Sequence, residues 1–484
     1  MTLGLRWWSF WLAALGMPAA ILGALLLLPA QDSLFGSNSL HFYVVSGTAV
    51  AAAVACGVIV GLTQSLRETR LVFLGLAFMS IAAIFAVHGL GTPGHIHAEA
   101  HAELSVSTWL SVLAGAFFIA ASVVALPEGA EAWLKRWGGW LFGAIAAALG
   151  LYIGLSLATP DWLAWLPYRE RPLQLGVAAV TLSLLGFATW RYFQAFLFAR
   201  LPSQWAMVCV LVLLIEVQLS LTFGRFWHLS WWLYHGTYGF AFIVLFAGWL
   251  IEAWRAGSVR VIAEALSMRD AVATLSRGHT RPIADLVDAI EWKDLYTLGH
   301  VRRVASYALM IGRELGLSTL EMRSLALAAQ MHDVGKIGVP DRILAKAGRL
   351  TEAELAEIQA HARRGQEIAV RVPALAPALA GIAYHHEKVD GSGYPEGLAG
   401  EAIPLQARIV AIADAFDAMT SGRVYQAAVD GQAALAELRR SAGGHFDPAC
   451  VEAFAAALGR VKGAPPSPEA TPAAVIAGGP EVAA

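Results

Sequence analysis

The chain has 484 residues, room for two or three domains, yet only 14% of them are charged and 57% are hydrophobic, against about 25% charged in an average soluble protein. A net charge of -2 removes the electrostatic case for a nucleic-acid polymer as partner. Three cysteines, Cys56, Cys209 and Cys450, are too few for a disulfide framework or a Cys-based metal cluster.

The imbalance is uneven along the chain. Sixteen of the 17 tryptophans lie at or before Trp254, and most of the charge follows it. The first part reads as a membrane domain and the second as water-soluble. A bilayer-spanning helix needs about 20 mostly apolar residues. About eight spans are expected, roughly at 7–29, 41–62, 71–91, 106–126, 138–158, 173–194, 205–223 and 232–254. Trp7, Trp8, Trp11, Trp162, Trp165, Trp231 and Trp232 crowd their ends, as an aromatic belt requires. With the N-terminus inside, Arg6, Arg67, Arg70, Lys135, Arg136, Arg191, Arg200, Arg255 and Arg260 fall on the inner side. Only Arg169, Arg171 and Arg225 fall on the outer side. The excess of inner cations predicts a multi-pass protein of the cytoplasmic (inner) membrane, in contact with the lipid bilayer, whose C-terminal part is cytoplasmic. A cleaved signal peptide is the alternative for the first segment, whose apolar run exceeds a usual signal core.

This topology gathers seven histidines near the outer face: His41, His88, His95, His97, His101, His228 and His235. His88 and His235 lie deeper, where ionisable groups are costly and tend to be functional. At matched depth they are candidate sensor ligands for a haem or a transition metal. Histidines hydrogen-bonded between helices explain the pattern about as well. Glu216 and Gln218 add polar groups to the seventh span.

Residues 255–290 carry Val259, Ile262, Leu266, Val272 and Leu275 at helical spacing among charges. They predict a helical signalling linker, paired in a homodimer, or an ordinary amphipathic helix packed on its neighbour. Residues 462–484, rich in Pro, Ala and Gly, predict a disordered tail.

Between these lies 291–461. VRRVASYALMIGREL, SLALAAQM, ALAGIAYHHE and ARIVAIADAFDAM repeat apolar residues every three or four positions. Gly- and Pro-bearing loops separate them, and no alternating strand pattern appears. The whole chain is expected to be all-α, a polytopic helical membrane domain (1–254) followed by an all-helical domain. Five histidines and two aspartates with ligand potential fall on at least five of its segments: His300, His332, Asp333, His361, His385, His386 and Asp414.

The motifs are more specific than the composition. His332-Asp333 is followed by Gly335-Lys336, then His385-His386-Glu387, then Asp390-Gly391-Ser392-Gly393-Tyr394-Pro395. Tyr296-Thr297, His300-Val301-Arg302-Arg303-Val304, Ala407-Arg408-Ile409, Asp417-Ala418, Arg423 and Phe446-Asp447-Pro448 continue the order. Over about 170 residues the pattern resembles the HD-GYP family of cyclic di-GMP phosphodiesterases.

The resemblance implies an HD-superfamily helical domain with two divalent metal ions, cyclic di-GMP as partner and substrate, and pGpG, then GMP, as products. Carried over, the metal ligands are His300, His332, Asp333, His361, His385, His386 and Asp414. Asp333 would bridge, with His332, His300 and Asp414 on one ion and His361, His385 and His386 on the other. An imidazole-rich donor set suits Fe or Mn better than Mg. Asp333 and Lys336 are the implied catalytic residues. Lys336, Gly393, Tyr394, Pro395 and Arg423 are the implied substrate contacts. The chain departs from the family at Tyr296, where members with a third metal have Glu. It departs again at Ala362, and at Val424-Tyr425-Gln426, which weakens one phosphate contact. The rival readings are a catalytically inactive HD-GYP module acting as a nucleotide-responsive signalling or interaction protein, and a transporter or redox membrane protein with a regulatory tail. The full ligand set and Lys336 speak against the first; no repeat or transport motif supports the second.

Overall fold

A computed structural model describes residues 2–462 except 67–68, 97, 100, 125, 160–161, 260–261, 263–264, 267–274, 276–280, 294–298, 347 and 422–427. Among the described residues the regular elements are all helical, joined by isolated bridges such as Leu34 to His228. The all-α expectation holds. The chain forms two compact units, Met1–Gly278 and His279–Ala484.

Among the described residues the first unit has eight long helices: α1 (Thr2–Leu27), α2 (Asn38–Leu66), α3 (Thr69–Leu90), α4 (Ala102–Ser122), α5 (Glu128–Ala158), α6 (Arg171–Ala199), α7 (Pro202–Phe223) and α8 (Leu229–Ala256). Each expected span falls on one of them. Seven, α2 to α8, are long and apolar enough to cross a membrane, and α1 is apolar over Leu15–Leu27. Most helices outrun their apolar windows because polar interfacial residues continue the backbone ladder. In α5, for example, Glu131 pairs with Lys135 one turn on, ahead of the apolar run.

Packing ranks these helices. In α7 and α3, 72% and 67% of the spanning window is buried, against 6% in α5, so α5 lies on the rim. Close approach depends on small residues. A Cβ on Gly248 of α8 would stand 2.2 Å from Ala206 of α7, and one on Gly115 of α4 would stand 2.7 Å from Ile81 of α3. At one end of the bundle Asp32 accepts the Ser230 N–H (2.8 Å) and hydroxyl (2.7 Å), tying the α1–α2 loop to the start of α8. At the other end Glu252 accepts from the Ser203 N–H and hydroxyl at the start of α7. There Gln204 donates to the Ala265 carbonyl (3.1 Å), and Ile262, Ala265 and Leu266 are buried while Val259 is exposed. Leu275 is buried as well and residues 281–290 are helical, whereas Val272 and most of 260–280, like the tail beyond Lys462, lie outside the described residues.

The second unit comprises α9 (Arg281–Lys293), α10 (His300–Glu314), α11 (Thr319–Met331), α12 (Glu352–Gln359), α13 (His361–Ala369), α14 (Leu379–Tyr384), α15 (Leu405–Ser421), α16 (Gly431–Arg440) and α17 (Pro448–Lys462). Reciprocal capping boxes, Ser318 with Glu321 and Thr351 with Glu354, start α11 and α12. Tyr307, Phe416 and Phe454 pack edge to face between α10, α15 and α17. The 3-10 turn Val334–Gly338 presses on α13. A Cβ at Gly335 would stand 1.9 Å from the His361 carbonyl, so only glycine fits. Arg408 of α15 pairs with Asp447 ahead of α17. Two of the family motifs therefore carry packing rather than chemistry.

Candidate metal centre

Helix ends create the site. The last carbonyls of a helix have no partner within it, and three histidines sit where they can use one. His332 follows the last residue of α11 and its Nδ1 donates to the Ala329 carbonyl (2.8 Å). His361, just past the end of α12, donates to Ile358 (2.7 Å), and His385, just past α14, donates to Ile382 (2.9 Å). Each bond fixes the tautomer and leaves the Nε2 lone pair aimed inward.

The inward atoms fall into two groups. His300, His332 and Asp333 offer ligand atoms within 4.8 Å of one another, and so do His361, His385 and His386. Asp333, 3% exposed, stands between the groups. Its Oδ2 lies 3.4 Å from His332 Nε2 and its Oδ1 lies 3.5 Å from His361 Nε2. His361 and His385 approach Nε2 to Nε2 at 3.4 Å, and Asp414 Oδ1 lies 3.5 Å from His300 Nε2. Bonds of about 2.0–2.2 Å to one ion put neighbouring ligand atoms about 3–3.5 Å apart. The spacings match that. His332 Nε2 is buried and makes no hydrogen bond of good geometry, which is the mark of a ligand atom rather than a packing group.

Two residues outside the expected ligand set orient it. Asp417, one turn past Asp414 on α15, accepts His300 Nδ1–H at 2.7 Å and is held by Arg303 at 2.6 and 3.0 Å. The three-residue spacing of Asp414 and Asp417 was the sequence signal for it. Glu387, 3% exposed, accepts the Glu396 and Leu398 N–H groups at 2.7 and 3.0 Å and so clamps the loop that carries Gly393 and Tyr394. A Cβ at Gly393 would stand 2.4 Å from the Lys388 nitrogen. Tyr394 stacks on His386 with ring centroids 4.8 Å apart, next to Pro395.

Lys336 Nζ lies 2.6 Å from Asp333 Oδ2. Burial opposes ionisation of Asp333, but the Lys336 ammonium and His332 hold its carboxyl well below the usual range. Burial also works against a charge on His332, yet Asp333 and Asp414 draw it up to about 9. In the other group burial dominates: His361 and His385 are lowered, and His386 falls to about 3. Arg423, expected at the substrate, and Tyr296 lie outside the described residues. The expected sensor pair is also brought together, His88 Nε2 lying 3.5 Å from His235 Nε2. His41 joins them, its Nε2 lying 3.1 Å from His88 Nε2.

Residues 286–450 match the family model described as HD domain. Over 179 residues the chain is 45% identical to the cyclic di-GMP phosphodiesterase response regulator RpfG of Xanthomonas campestris, covering 36% of this chain and 46% of that protein. It is 41% identical over 173 residues to a 3'3'-cGAMP-specific phosphodiesterase of Vibrio cholerae, covering 36% and 37%. A cyclic di-GMP phosphodiesterase of Thermotoga maritima is 40% identical over 166 residues, covering 34% and 45%. The chain thus spans less than half the length of these relatives, and the HD-domain match, residues 286–450, lies within the second unit.

Proposed function

We propose that the protein is a membrane-anchored, metal-dependent phosphodiesterase that hydrolyses cyclic di-GMP to pGpG and onward to GMP, with its HD domain in the cytoplasm and its activity set by the helical bundle. The observation that carries this is Asp333, whose two carboxylate oxygens each face one of two converging imidazole groups. The donor set of five imidazoles with Asp333 and Asp414 suits two divalent ions, Fe or Mn. Such a pair, when bound, lowers the pKa of water and neutralises charge on phosphoryl oxygens.

The chain's own residues do the rest. Asp333 keeps its charge because Lys336 balances it. Beside Asp333, the Lys336 ammonium is the cation placed to pair with a non-bridging phosphate oxygen. Asp417 and the three backbone carbonyls hold the imidazoles in one tautomer, so no reorganisation is needed when substrate arrives. Tyr394, on its clamped loop, offers a flat aromatic face for a guanine.

The test is turnover by the purified full chain with Mn(II) or Fe(II) under reducing conditions, with cyclic di-GMP and 3'3'-cGAMP supplied separately. Conversion of cyclic di-GMP to pGpG supports the reading. Exclusive conversion of cGAMP would reassign the substrate, and turnover of neither would leave the inactive signalling module as the function.

A further inference from the structure

Three imidazoles from three helices of the first unit meet at one point. His41 lies in the first turn of α2, His88 in the last turn of α3 and His235 in the second turn of α8. His88 Nε2 stands 3.1 Å from His41 Nε2 and 3.5 Å from His235 Nε2, and the three ligand atoms lie within 4.8 Å of one another. None of the three residues is more than 1% exposed.

Hydrogen bonding does not account for this arrangement. His88 Nδ1 lies 2.6 Å from the Leu104 carbonyl, which only accepts, so Nδ1 carries the hydrogen and Nε2 of the neutral ring has one lone pair. That lone pair faces His41 Nε2, His235 Nε2 and the Tyr234 hydroxyl at 2.9 Å. One acceptor site cannot serve three groups. His41 Nδ1 is engaged outward by the Thr92 hydroxyl (2.8 Å), which leaves its Nε2 for the centre. His235 Nδ1 is buried and makes no hydrogen bond of good geometry. Three nitrogens sharing one ion through about 2.0 Å bonds would stand about 3.5 Å apart, close to the two separations found here. His88 also lines a cavity of about 410 Å³ with His101, Thr108, Arg171 and Trp231.

We infer that His41, His88 and His235 bind one monovalent copper ion, Cu(I). Charge selects the ion. Among the described residues no carboxylate or thiolate joins the trio. The solvation cost of burying an ion grows as the square of its charge, so a dication among neutral ligands costs about four times a monocation. Imidazole serves copper as well as zinc, while tris-histidine zinc sites add a water or substrate as fourth ligand. This site is independent of the phosphodiesterase reading.

The test uses the full chain in detergent, anaerobic, carrying His332→Ala, Asp333→Ala, His361→Ala and His385→Ala so that neither imidazole group of the HD domain is left to take copper. Cu(I) is titrated against a chromophoric Cu(I) chelator. One Cu(I) per chain is expected, lost in His41→Ala and in His235→Ala and kept in His95→Ala and His228→Ala. His235→Ala removes only the long 3.5 Å contact to His88 and the link to the Trp231 backbone; circular dichroism checks its helix content. X-ray absorption should find three nitrogens at about 2.0 Å. Copper retained in both His41→Ala and His235→Ala overturns the site. A folded parent chain that binds no Cu(I), or that takes one Zn(II) in its place, overturns the assignment of the ion.

Discussion

The histidines of the HD domain and those of the helical bundle are presented alike and neutralised differently. In both places a ring donates Nδ1–H to a backbone carbonyl and turns Nε2 toward its neighbours, as His332 does through Ala329 and His88 through Leu104. In the HD domain Asp333 and Asp414 stand among the imidazoles, with Lys336 beside Asp333. In the bundle, among the described residues, no carboxylate joins His41, His88 and His235. The imidazoles make a site for a transition metal in either setting. The carboxylates decide how much positive charge it can hold. A dication pair can then serve an anionic phosphodiester, whereas the neutral trio suits a single charge.

The largest effect is expected from removing the carboxylate that faces both imidazole groups. His332→Ala with Asp333→Ala should lower phosphodiesterase turnover at least about 1,000-fold, roughly 4 kcal/mol of transition-state stabilisation. Helix content by circular dichroism should stay nearly unchanged, and Cu(I) binding by the trio should remain. Undiminished turnover would remove the HD cluster from the chemistry.

Next in size is the backbone that brings the two HD groups together. Gly335→Ala puts a methyl group 1.9 Å from the His361 carbonyl. We expect the HD domain to lose about 3 kcal/mol of stability, read by thermal unfolding. A melting temperature equal to the parent's would show that the turn and α13 are not held in this register.

Asp417→Asn sharpens the comparison on the orienting group. Burial opposes its charge, while His300 and Arg303 hold its carboxyl below the usual range, so the carboxylate is the form that fixes His300. The amide should weaken Mn(II) binding about 10- to 100-fold, measured by competition titration, without changing helix content. Equal affinity would mean His300 needs no orientation.

The smallest effect is the matching change in the bundle. Thr92→Val removes the partner of His41 Nδ1 and should weaken Cu(I) binding about tenfold while leaving Mn(II) affinity as it was. Loss of both together would mean the clusters are not independent.

The positions of the long apolar helices and the residues that converge in the HD domain were legible in the sequence because each rests on a local signal. A run of apolar residues long enough to cross a bilayer needs no partner to be recognised, and α2 to α8 stand close to where hydropathy puts them. Motifs such as His332-Asp333 and His385-His386 are contiguous, so their order alone recommends them. What joins residues far apart was not legible. Asp417 lies 117 positions from His300, and Glu387 reads as a third member of a His-His-Glu string rather than a loop clamp. That His41 joins His88 and His235 was not legible either, because depth in the membrane is one coordinate, and it says nothing of a third ring at the same depth. Contact between α2, α3 and α8 is set by side-chain packing among helices that are all apolar, where no periodicity distinguishes a neighbour from a stranger. Chain chemistry by itself therefore determined which segments are helical and which residues can ligate. Only the packing decided that His41 completes a trio, that Asp333 faces both groups, and that the carboxylates lie on one site and not the other.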